Sequence, residues 1–588
     1  MLADIYALLP LGLLVIVASF GCEWAARQGW LPYWLSRKAL HILAVGACAW
    51  APLWVDSLWS LIAVVAPAWM LLLWLVSQRK LMVDDEGRRA WGIVWFPLAY
   101  LILLITSGEG KSPVVFGMAV LAVCDPAATV AGTLLAKKYY TLTGDKKSWI
   151  GGSAFLLSFL VLCGLSLYTW TLLELHPFYW LYFPIMGVVL AVVESLGSDG
   201  RDNLYVPLVA AALWNRLIAC GPFISIAETY FTAGLALVFV WLMYKRGSLT
   251  PNGAVGSWLL AVGIIWFGHW TFLVPILVFF ISSVLVGKLF PSNLPSDVKS
   301  GGGRDISQVF ANGGVYLLVI YLISPNAPGA YLSVGSSQSM VYTPLFDYQV
   351  IKLNQLSDFW LNICTSAGRG IRCCEWTALS AENPGFSLAP YFSGMLFIPL
   401  AVLATANSDT WASEIGRYFK GRTYDILRFR RVEPGLSGGI SLAGTIAAGF
   451  GAALIAAFAF LISRDWISGL IVYSFIWIFG FAGMLIDSIL GALFQPKYKH
   501  PETGKQYDYP WWAASATTAQ SSIPETNEAD QRTGTADLAT ATGLDYAASN
   551  GSNLNQKNIL RKLWMSNDMV NFASQLIVAA LLILLLGN

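Results

Sequence analysis

Long apolar runs separated by short polar stretches follow one another along most of the chain, and this pattern predicts membrane-spanning helices. Each run is near the length of about 20 residues that an α-helix needs to cross a bilayer. We count about sixteen such runs by hydropathy. They lie near 4–21, 39–55, 58–76, 90–106, 113–136, 150–171, 178–196, 204–220, 222–243, 253–268, 270–289, 308–324, 391–412, 440–462, 467–494 and 569–587. The sequence therefore predicts an all-α polytopic membrane protein.

Two long segments interrupt this pattern. Residues 325–390 form a predicted outer loop that contains Cys364, Cys373 and Cys374, either as free thiols or with a disulfide if that side is oxidising. Residues 512–556 are rich in Ala, Thr, Ser and Asn, a composition typical of disorder, and we expect a cytoplasmic insertion there.

Composition and charge support the membrane assignment. Of the 588 residues, 56% are hydrophobic and 12% are charged, whereas soluble domains carry about 25% charged residues. The first run lacks a basic start and a small-residue cleavage site, so we expect a retained helix rather than a signal peptide. A net charge of +2 gives no indication of nucleic-acid binding.

The basic residues predict an orientation. If the loop holding Arg37 is cytoplasmic and the spans alternate, 30 of the 36 Lys and Arg residues fall on the cytoplasmic side. Such an excess is expected from the positive-inside rule. We therefore predict a multi-pass membrane protein whose polar motifs face the cytoplasm.

Four motifs recur in the same order in the two halves of the chain. The first copy reads "AVCDPAATVAG", "DKKSWIGGSAF", "VVESLG" and "GRDNLYVP", and the second reads "TANSDTWASEIG", "PGLSGGISLAGT", "LIDSILG" and "SNDMVNF". An even number of spans separates the copies, so both point the same way. The sequence thus predicts two parallel, repeated four-helix catalytic cores.

Acidic residues in these motifs are the candidate metal ligands. A carboxylate within a membrane helix costs about 2.5–3.5 kcal/mol to insert and indicates a functional site. A cluster of oxygen ligands suits Mg²⁺, which combines carboxylates with phosphate oxygens and water. The candidates are Asp125, Glu194 and Asp202 in the first copy, and Asp409, Asp487 and Asp568 in the second.

Glycine-rich Ser-x-x-Gly stretches and basic residues are the candidate phosphate ligands. Free N–H groups and the helix dipole at a helix N-terminus favour phosphate. Lys146 and Lys147 stand just before the first such stretch. In "RKALHI", Arg37, Lys38 and His41 lie within one turn, although a lone histidine is more often structural. Glycines in these helices also serve close packing. Together these are the parts of a phosphoryl-transfer site.

The motifs resemble two families. "RKALHI", "CDPAATVAG", "GDKKSWIGGSAF" and "ESLGSDGRDNLYVP" are similar to the phytol kinase/dolichol kinase family, which belongs with the CDP-diglyceride synthases. "GSLTPNGAVGSW", "RDISQVFANGG", "ANSDTWASEIGR", "EPGLSGGISLAGT", "DSILGALFQ" and "NDMVN" resemble the DUF92 family, to which phytyl-phosphate kinases belong. The first resemblance covers about 35–245, and the second covers 247–324 and 391–576.

The resemblance implies a fusion of two kinases, with domains at 1–246 and 247–588. The first would phosphorylate an isoprenoid alcohol and the second the resulting monophosphate, with CTP and Mg²⁺, in phytol salvage toward tocopherol and prenyl lipids. The implied catalytic residues are Asp125, Lys146, Lys147, Glu194, Asp202, Asp409, Asp487 and Asp568. The nucleotide- or phosphate-binding residues that the resemblance implies are Ser148, Asn203, Asn407, Ser441, Asn567 and Asn571. From the residues themselves we add Arg37, Lys38, His41, Gly151, Gly438 and Gly439 as candidates. Helical one-turn spacing with no counterpart in the first copy adds Arg304, Gln308 and Asn312, which we predict to read the monophosphate of the second substrate.

Two rival functions remain open at the level of sequence. A cytidylyltransferase would make a CDP-lipid and release pyrophosphate. A lipid or isoprenoid transporter would also contain internal repeats and polar residues within the membrane, but parallel copies with acidic motifs on one side favour an enzyme.

Overall fold

A computed structural model of the chain describes most of its residues. The described residues are 2–78, 91–107, 110–169, 180–220, 226–291, 303–323, 397–463, 466–499, 503, 506–508 and 565–586. The predicted loop at 325–390, with its three cysteines, and the predicted insertion at 512–556 lie outside them.

Helices dominate the first part of the chain. Apolar runs form helices because a helix satisfies all its backbone hydrogen bonds internally, as a lipid environment requires. The first nine helices are α1 (Leu2–Arg27), α2 (Tyr33–Trp54), α3 (Leu58–Ser77), α4 (Gly92–Thr106), α5 (Lys111–Leu135), α6 (Trp149–Thr169), α7 (Phe183–Ser195), α8 (Asp202–Cys220) and α9 (Ile226–Lys245).

Eight more helices follow in the described residues. They are α10 (Pro251–Phe267), α11 (Leu273–Leu289), α12 (Ile306–Ile323), α13 (Phe397–Phe419), α14 (Leu442–Ala456), α15 (Ala459–Ile462), α16 (Trp466–Phe494) and α17 (Asn567–Leu586). Each segment predicted from hydropathy contains at least one helix. Helix α13 runs seven residues beyond its predicted end at 412, so that Asp409 and Glu414 are both helical.

Nine helical segments among the described residues are long and apolar enough to cross a membrane. They are Tyr6–Arg27, Leu58–Ser77, Lys111–Leu135, Ile226–Lys245, Trp270–Leu289, Ile306–Ile323, Leu442–Leu461, Trp466–Phe494 and Asn567–Leu585. Shorter apolar helices lie at Gly92–Thr106, Trp149–Leu165, Phe183–Ser195 and Pro251–Phe267. The prediction of a helical chain with membrane-spanning segments is confirmed by these nine helical segments of the described residues. The count of sixteen spans stays a prediction.

Three small antiparallel sheets lie in the polar connections. Strands β1 (Tyr139–Thr141) and β2 (Lys146–Ser148) pair between α5 and α6. Strands β3 (Thr423–Asp425), β4 (Arg431–Val432) and β5 (Gly439–Ser441) form a sheet of order β4-β3-β5 between α13 and α14. Strands β6 (Tyr498–Lys499) and β7 (Gln506–Tyr507) form a hairpin after α16. Hydropathy alone did not predict these strands.

The described chain divides into two compact units between Phe231 and Thr232, within α9. The predicted domain boundary, 246/247, stays a prediction. In the first unit, α5 packs against α2, α6 and α8. In the second, α13 packs against α14, α16 and α17.

Small residues bring the central helices of the second unit together. A Cβ atom on Gly480 would lie 2.6 Å from Ala404 Cβ, and one on Gly483 would lie 2.2 Å from Thr405 Oγ1. The backbones of α13 and α16 therefore approach closely, which gives these glycines a packing role.

Candidate functional site

Three acidic side chains from separate helices meet in the first unit. Asp125 lies in α5, Glu194 near the end of α7, and Asp202 at the start of α8. One carboxylate oxygen from each lies within 4.8 Å of the other two. Asp125 and Glu194 are buried, at 4% and 6% exposure. The structure therefore brings the first predicted acidic set together, and its role in binding metal stays a prediction.

Two lysines contact this acidic cluster and offset part of its charge. Lys147 Nζ donates to Glu194 Oε1 at 2.5 Å and lies 3.3 Å from Asp202 Oδ2. Lys38 Nζ, from α2, donates to Asp125 Oδ2 at 2.8 Å. Burial alone would lower the pKa of Lys147, but the nearby carboxylates outweigh it and raise the pKa above its ordinary value. Lys146 is exposed and forms no ion pair with any described residue.

His41 lies beside the same carboxylate as Lys38. Its Nε2 atom is 3.5 Å from Asp125 Oδ2. This nitrogen is buried and has no hydrogen-bond partner in the described part of the chain. Lys38 and His41, which the sequence places within one helical turn, therefore both lie next to Asp125. Arg37 is instead exposed on α2.

The first Ser-x-x-Gly stretch is a helix cap. Ser148 Oγ accepts a hydrogen bond from Gly151 N at 3.0 Å, as an N-cap serine does. A Cβ on Gly132 or on Gly151 would come within 2.9 Å of the same oxygen. The two glycines therefore let α5 and α6 close around the cap. In this conformation the Gly151 N–H that we predicted for phosphate is already used by Ser148.

The loop between α7 and α8 also needs a glycine. A Cβ on Gly197 would lie 2.5 Å from Asp202 Cβ. The absence of a side chain at Gly197 thus allows Asp202 to reach the cluster. Asn203, predicted to bind phosphate, instead directs its amide to Gly92 O at 3.4 Å.

The second unit holds Asp487 through neutral groups. Ser574 Oγ donates to Asp487 Oδ2 at 3.1 Å. The Asn571 amide, oriented so that its nitrogen faces the carboxylate, donates to the same oxygen at 3.0 Å. Asp487 is 9% exposed. The two predicted site residues Asp487 and Asn571 are therefore in contact. Asn571 donates a hydrogen bond to the Asp487 carboxylate rather than to a phosphate in this conformation.

The two other acidic residues of this unit have different surroundings. Ser307 Oγ, from α12, donates to Asp568 Oδ2. Asp409 is half-buried on α13, and its carboxylate forms no ion pair or hydrogen bond with the described residues. Glu414 instead pairs with Arg417 at 2.9 Å. Among the described residues, no compact group of three acidic side chains forms in this unit.

The second Ser-x-x-Gly stretch has the same local geometry as the first. Ser441 Oγ accepts from Gly444 N at 3.2 Å. A Cβ on Gly416 or on Gly444 would lie 3.1 Å from that oxygen. The Ser441 cap thus matches the Ser148 cap, with one glycine from the preceding helix and one from its own helix.

Gly438 and Gly439 have packing reasons to be glycine. Gly438 has a φ of +81°, and a Cβ there would lie 2.4 Å from Ala492 Cβ. Gly439 N donates to Leu436 O at 2.9 Å, so this amide is not free for phosphate in the present conformation.

Arg304 precedes α12 and lies against aromatic rings. Its Cζ atom is 5.9 Å from the Phe279 ring and 5.5 Å from the Phe280 ring. Burial lowers the pKa of the Arg304 guanidinium from its ordinary value, and the nearby Glu414 charge opposes this. No described carboxylate lies within ion-pairing distance of it. Arg304 is therefore a half-buried cation whose N–H groups are available to an anion.

Three predicted phosphate ligands, Asn312, Asn407 and Asn567, use their side chains in other contacts, and the contacts of a fourth, Gln308, are made by its backbone. Asn312 Nδ2 donates to Gln308 O at 2.8 Å, and Gln308 N donates to Asp305 Oδ1 at 2.9 Å. Asn407 is fully buried, accepting from Ser282 Oγ at 2.9 Å and donating to Gly451 O at 2.7 Å. Asn407 therefore joins α11, α13 and α14. Asn567 Oδ1 accepts from Gln495 Nε2 at 3.4 Å.

Two residues that contact the predicted motifs, Ser574 and Asp508, were not predicted from the sequence. Ser574 was not singled out, although it follows Asn571 by three positions and so shares its helix face. Asp508, which binds the backbone of Ser437, stands in a polar stretch with no motif to mark it.

Comparison with known proteins gives a family. The family model described as integral membrane protein DUF92 matches residues 234–579, more than half of the chain. An uncharacterized membrane protein of Methanocaldococcus jannaschii is 37% identical over 106 residues, which are 18% of this chain and 43% of that relative. Protein PGR of Arabidopsis thaliana is 24% identical over 277 residues, 45% of this chain and 78% of PGR. No solved structure matches the chain.

The chain thus spans less than half the length of the first of these relatives. The family match begins within α9 and ends within α17, so it includes every second-unit motif that suggested DUF92. The resemblance of 35–245 to phytol and dolichol kinases stays a prediction. The second resemblance is confirmed at the level of the family: the chain belongs to the DUF92 family of integral membrane proteins.

Proposed function

We propose that the chain is a bifunctional isoprenoid kinase. Its first unit phosphorylates an isoprenoid alcohol, with phytol as the leading candidate, and its second phosphorylates the monophosphate to the diphosphate. The observation that carries this proposal is the cluster of Asp125, Glu194 and Asp202, held within 4.8 Å and contacted by two lysines. Carboxylates with adjacent cations are typical of phosphoryl-transfer sites.

In the first reaction, the alcohol oxygen forms a bond to the γ-phosphorus of the donor. The bond from that phosphorus to the bridging oxygen breaks, a nucleoside diphosphate leaves, and the hydroxyl proton passes to solvent water. Lys147 and Lys38 are the groups that meet the negative charge of the phosphates, because both already lie at the cluster. Exposed Lys146 contributes less.

The first cluster fits Mg²⁺. Its three carboxylates supply the hard oxygen ligands that this ion takes, and phosphate oxygens would be further ligands. Mg²⁺, when bound, would offset the charge of the donor phosphates. Asp125, Glu194 and Asp202 would hold it. In the second unit, Asp409, Asp487 and Asp568 are the proposed ligands.

The second unit is suited to a substrate that already carries a phosphate. Arg304 offers a half-buried guanidinium next to α12 and is paired with no described carboxylate. A planar guanidinium binds phosphate in a bidentate manner. The first unit has no motif equivalent to "RDISQVFANGG". We therefore assign Arg304 to the monophosphate group.

The matched serine caps support the proposal that the two cores are parallel copies. Each cap combines a serine with the glycine three positions after it and with a glycine of the preceding helix. We further propose that CTP is the donor, that both sites face the cytoplasm, and that the enzyme serves phytol salvage toward tocopherol and prenyl lipids in a plasma or photosynthetic membrane. These points follow from the family resemblance and the basic-residue asymmetry.

Labelled nucleotide tests the reaction type. The purified chain is incubated with Mg²⁺, an isoprenoid alcohol or monophosphate, and CTP labelled at either the α- or the γ-phosphate. A kinase transfers only the γ-label to lipid. Transfer of the α-label, with the γ-label in pyrophosphate, identifies a cytidylyltransferase. Movement of unchanged lipid across vesicles without label transfer identifies a transporter.

A further inference from the structure

A carboxylate outside the proposed metal ligands binds the glycine-rich turn of the second unit. Asp508 Oδ2 accepts hydrogen bonds from Ser437 N at 2.8 Å and from Ser437 Oγ at 2.6 Å. Asp508 directly follows strand β7 of the hairpin after α16. The contact therefore joins two polar segments that are 71 residues apart in sequence.

The turn leads into strand β5, which pairs with β3, and it has further contacts of its own. Gly438 takes a left-handed conformation and lies so close to Ala492 that no side chain fits there. Gly438 O accepts from Ile426 N at 2.9 Å, which connects the turn to the segment after β3. Three residues beyond Gly438, Ser441 caps α14. The position of Ser437, together with the pairing of β5 with β3, therefore affects how the chain enters this helix.

The surroundings of Asp508 are polar and buried. Its second oxygen, Oδ1, is buried and has no hydrogen-bond partner among the described residues. Lys497 is the nearby cation, and its Nζ lies 3.9 Å from Asp425 Oδ2. Asp425 in turn accepts from Leu427 N and Arg428 N at 2.9 Å each. Asp508, Lys497 and Asp425 are thus charged groups close to the turn.

We infer that Asp508 is a positioning residue for the second phosphate site. By holding Ser437, it keeps the segment from Gly438 to Ser441 in the conformation in which Ser441 caps α14 next to Gly416 of α13, the helix that carries Asp409. This role rests on the proposed function of that site, but the contact itself is independent of the reaction. Asp508 touches neither substrate nor reacting atoms in this account.

Burial gives the contact a dependence on pH. It raises the pKa of Asp508 to about 6, although the Ser437 donors and Lys497 oppose the shift. Because the folded-state pKa lies above the ordinary value of 3.8, the stability from proton binding is present at low pH and is lost as pH rises through about 6. In Asp508→Asn the side chain no longer titrates, so this loss of stability with rising pH disappears. The carbonyl oxygen of the asparagine side chain can still accept from Ser437.

Amide hydrogen exchange on the full chain tests the contact without substrate. In Asp508→Ala, exchange at residues 437–441 should rise by about tenfold, the effect of losing roughly 1.4 kcal/mol of hydrogen bonding. Asp508→Asn should keep exchange near that of the unchanged protein, and Ser437→Ala should fall between the two. Unchanged exchange at 437–441 in both Asp508→Ala and Ser437→Ala would overturn the inference.

Kinetics separates positioning from general stability. With isoprenyl monophosphate, Asp508→Ala should raise KM about tenfold and change kcat less, and Asp508→Asn should restore KM and flatten the pH profile near 6. An equal fall in kcat for both variants would contradict a positioning role. If the unchanged chain phosphorylates no isoprenoid, the proposed function fails, while the exchange experiment still decides the contact.

Discussion

The two units hold their buried carboxylates in different ways. In the first, Lys38 and Lys147 give the acidic cluster fixed positive charge. In the second, Asp487 accepts from a serine hydroxyl and an asparagine amide, and Asp409, near the charge of Arg417, forms no hydrogen bond or ion pair in the described structure. Both arrangements start from the same order of sequence motifs.

This difference indicates where each unit obtains its neutralising charge. A buried charge is costly unless it is paired and hydrogen-bonded. The first unit carries two lysines for three carboxylates, so most of the charge of its cluster is offset before any ligand binds. We expect the second unit to need a bound cation or a proton at its carboxylates. We therefore expect the two units to respond differently to loss of lysine and of metal.

The largest expected effect is on the carboxylates themselves. Asp125→Asn should abolish phosphorylation of the alcohol, with a loss of about 10³-fold, because electrostatic stabilisation usually contributes most to such catalysis. Asp487→Asn should do the same to the monophosphate. Rates of each half-reaction, measured with purified variants and saturating CTP, check this. Each variant serves as the control for the other, and a variant that keeps both rates would remove that residue from the metal ligands.

The next effect separates two adjacent lysines. Lys147→Ala should lower phosphorylation of the alcohol by about 10²-fold, since it removes the cation that meets Glu194 and Asp202. Lys146→Ala is the matched control and should change the rate by only a few-fold, because Lys146 is exposed. Both variants should phosphorylate added monophosphate normally. Equal losses in the two would show that the ion pairs are irrelevant to catalysis.

Removal of metal should affect the second unit more than the first. Mg²⁺ at a hundred times its Kd stabilises the folded state by about 2.7 kcal/mol. Chelation with EDTA should therefore speed amide exchange in α16 and α17, where no lysine contacts Asp487 among the described residues. Exchange in α7 should change less, because Lys147 neutralises Glu194. The reverse ranking would contradict the comparison.

The smallest effect concerns what the units share. Ser148→Ala and Ser441→Ala should each cost about 1 kcal/mol of stability, because each removes an N-cap acceptor. Ser148→Gly and Ser441→Gly should each cost only a few tenths of about 1 kcal/mol, because glycine is well tolerated at an N-cap. Thermal unfolding in detergent measures both pairs. Unequal losses for the two alanine variants would weaken the proposed equivalence of the caps.

Hydropathy was sufficient to place the helices, because each apolar run must satisfy its own backbone within lipid. It failed at the end of α13, where a polar sequence continues the helix to Phe419. The strands depend on backbone pairing, such as that of Thr423 with Ser441, and hydropathy carries no information about this pairing.

The candidate site was predictable only in part. Repeat spacing was enough to select Asp125, Glu194 and Asp202, which the structure brings together. The contact of Lys38 with Asp125 spans 87 positions, and no local rule of sequence reveals it. Asn407 lies in a motif two positions before Asp409, yet it is buried and used in packing. Position within a motif therefore does not show which way a side chain points.

A complementation assay tests the central claim of two separate kinase sites most directly. Asp125→Asn and Asp487→Asn proteins are reconstituted singly and together in the same vesicles, with an isoprenoid alcohol, Mg²⁺ and γ-labelled CTP. We predict no phosphorylated lipid from the first variant alone, monophosphate only from the second, and diphosphate from the mixture. A mixture that yields no diphosphate, although the unchanged protein makes it, would contradict the claim.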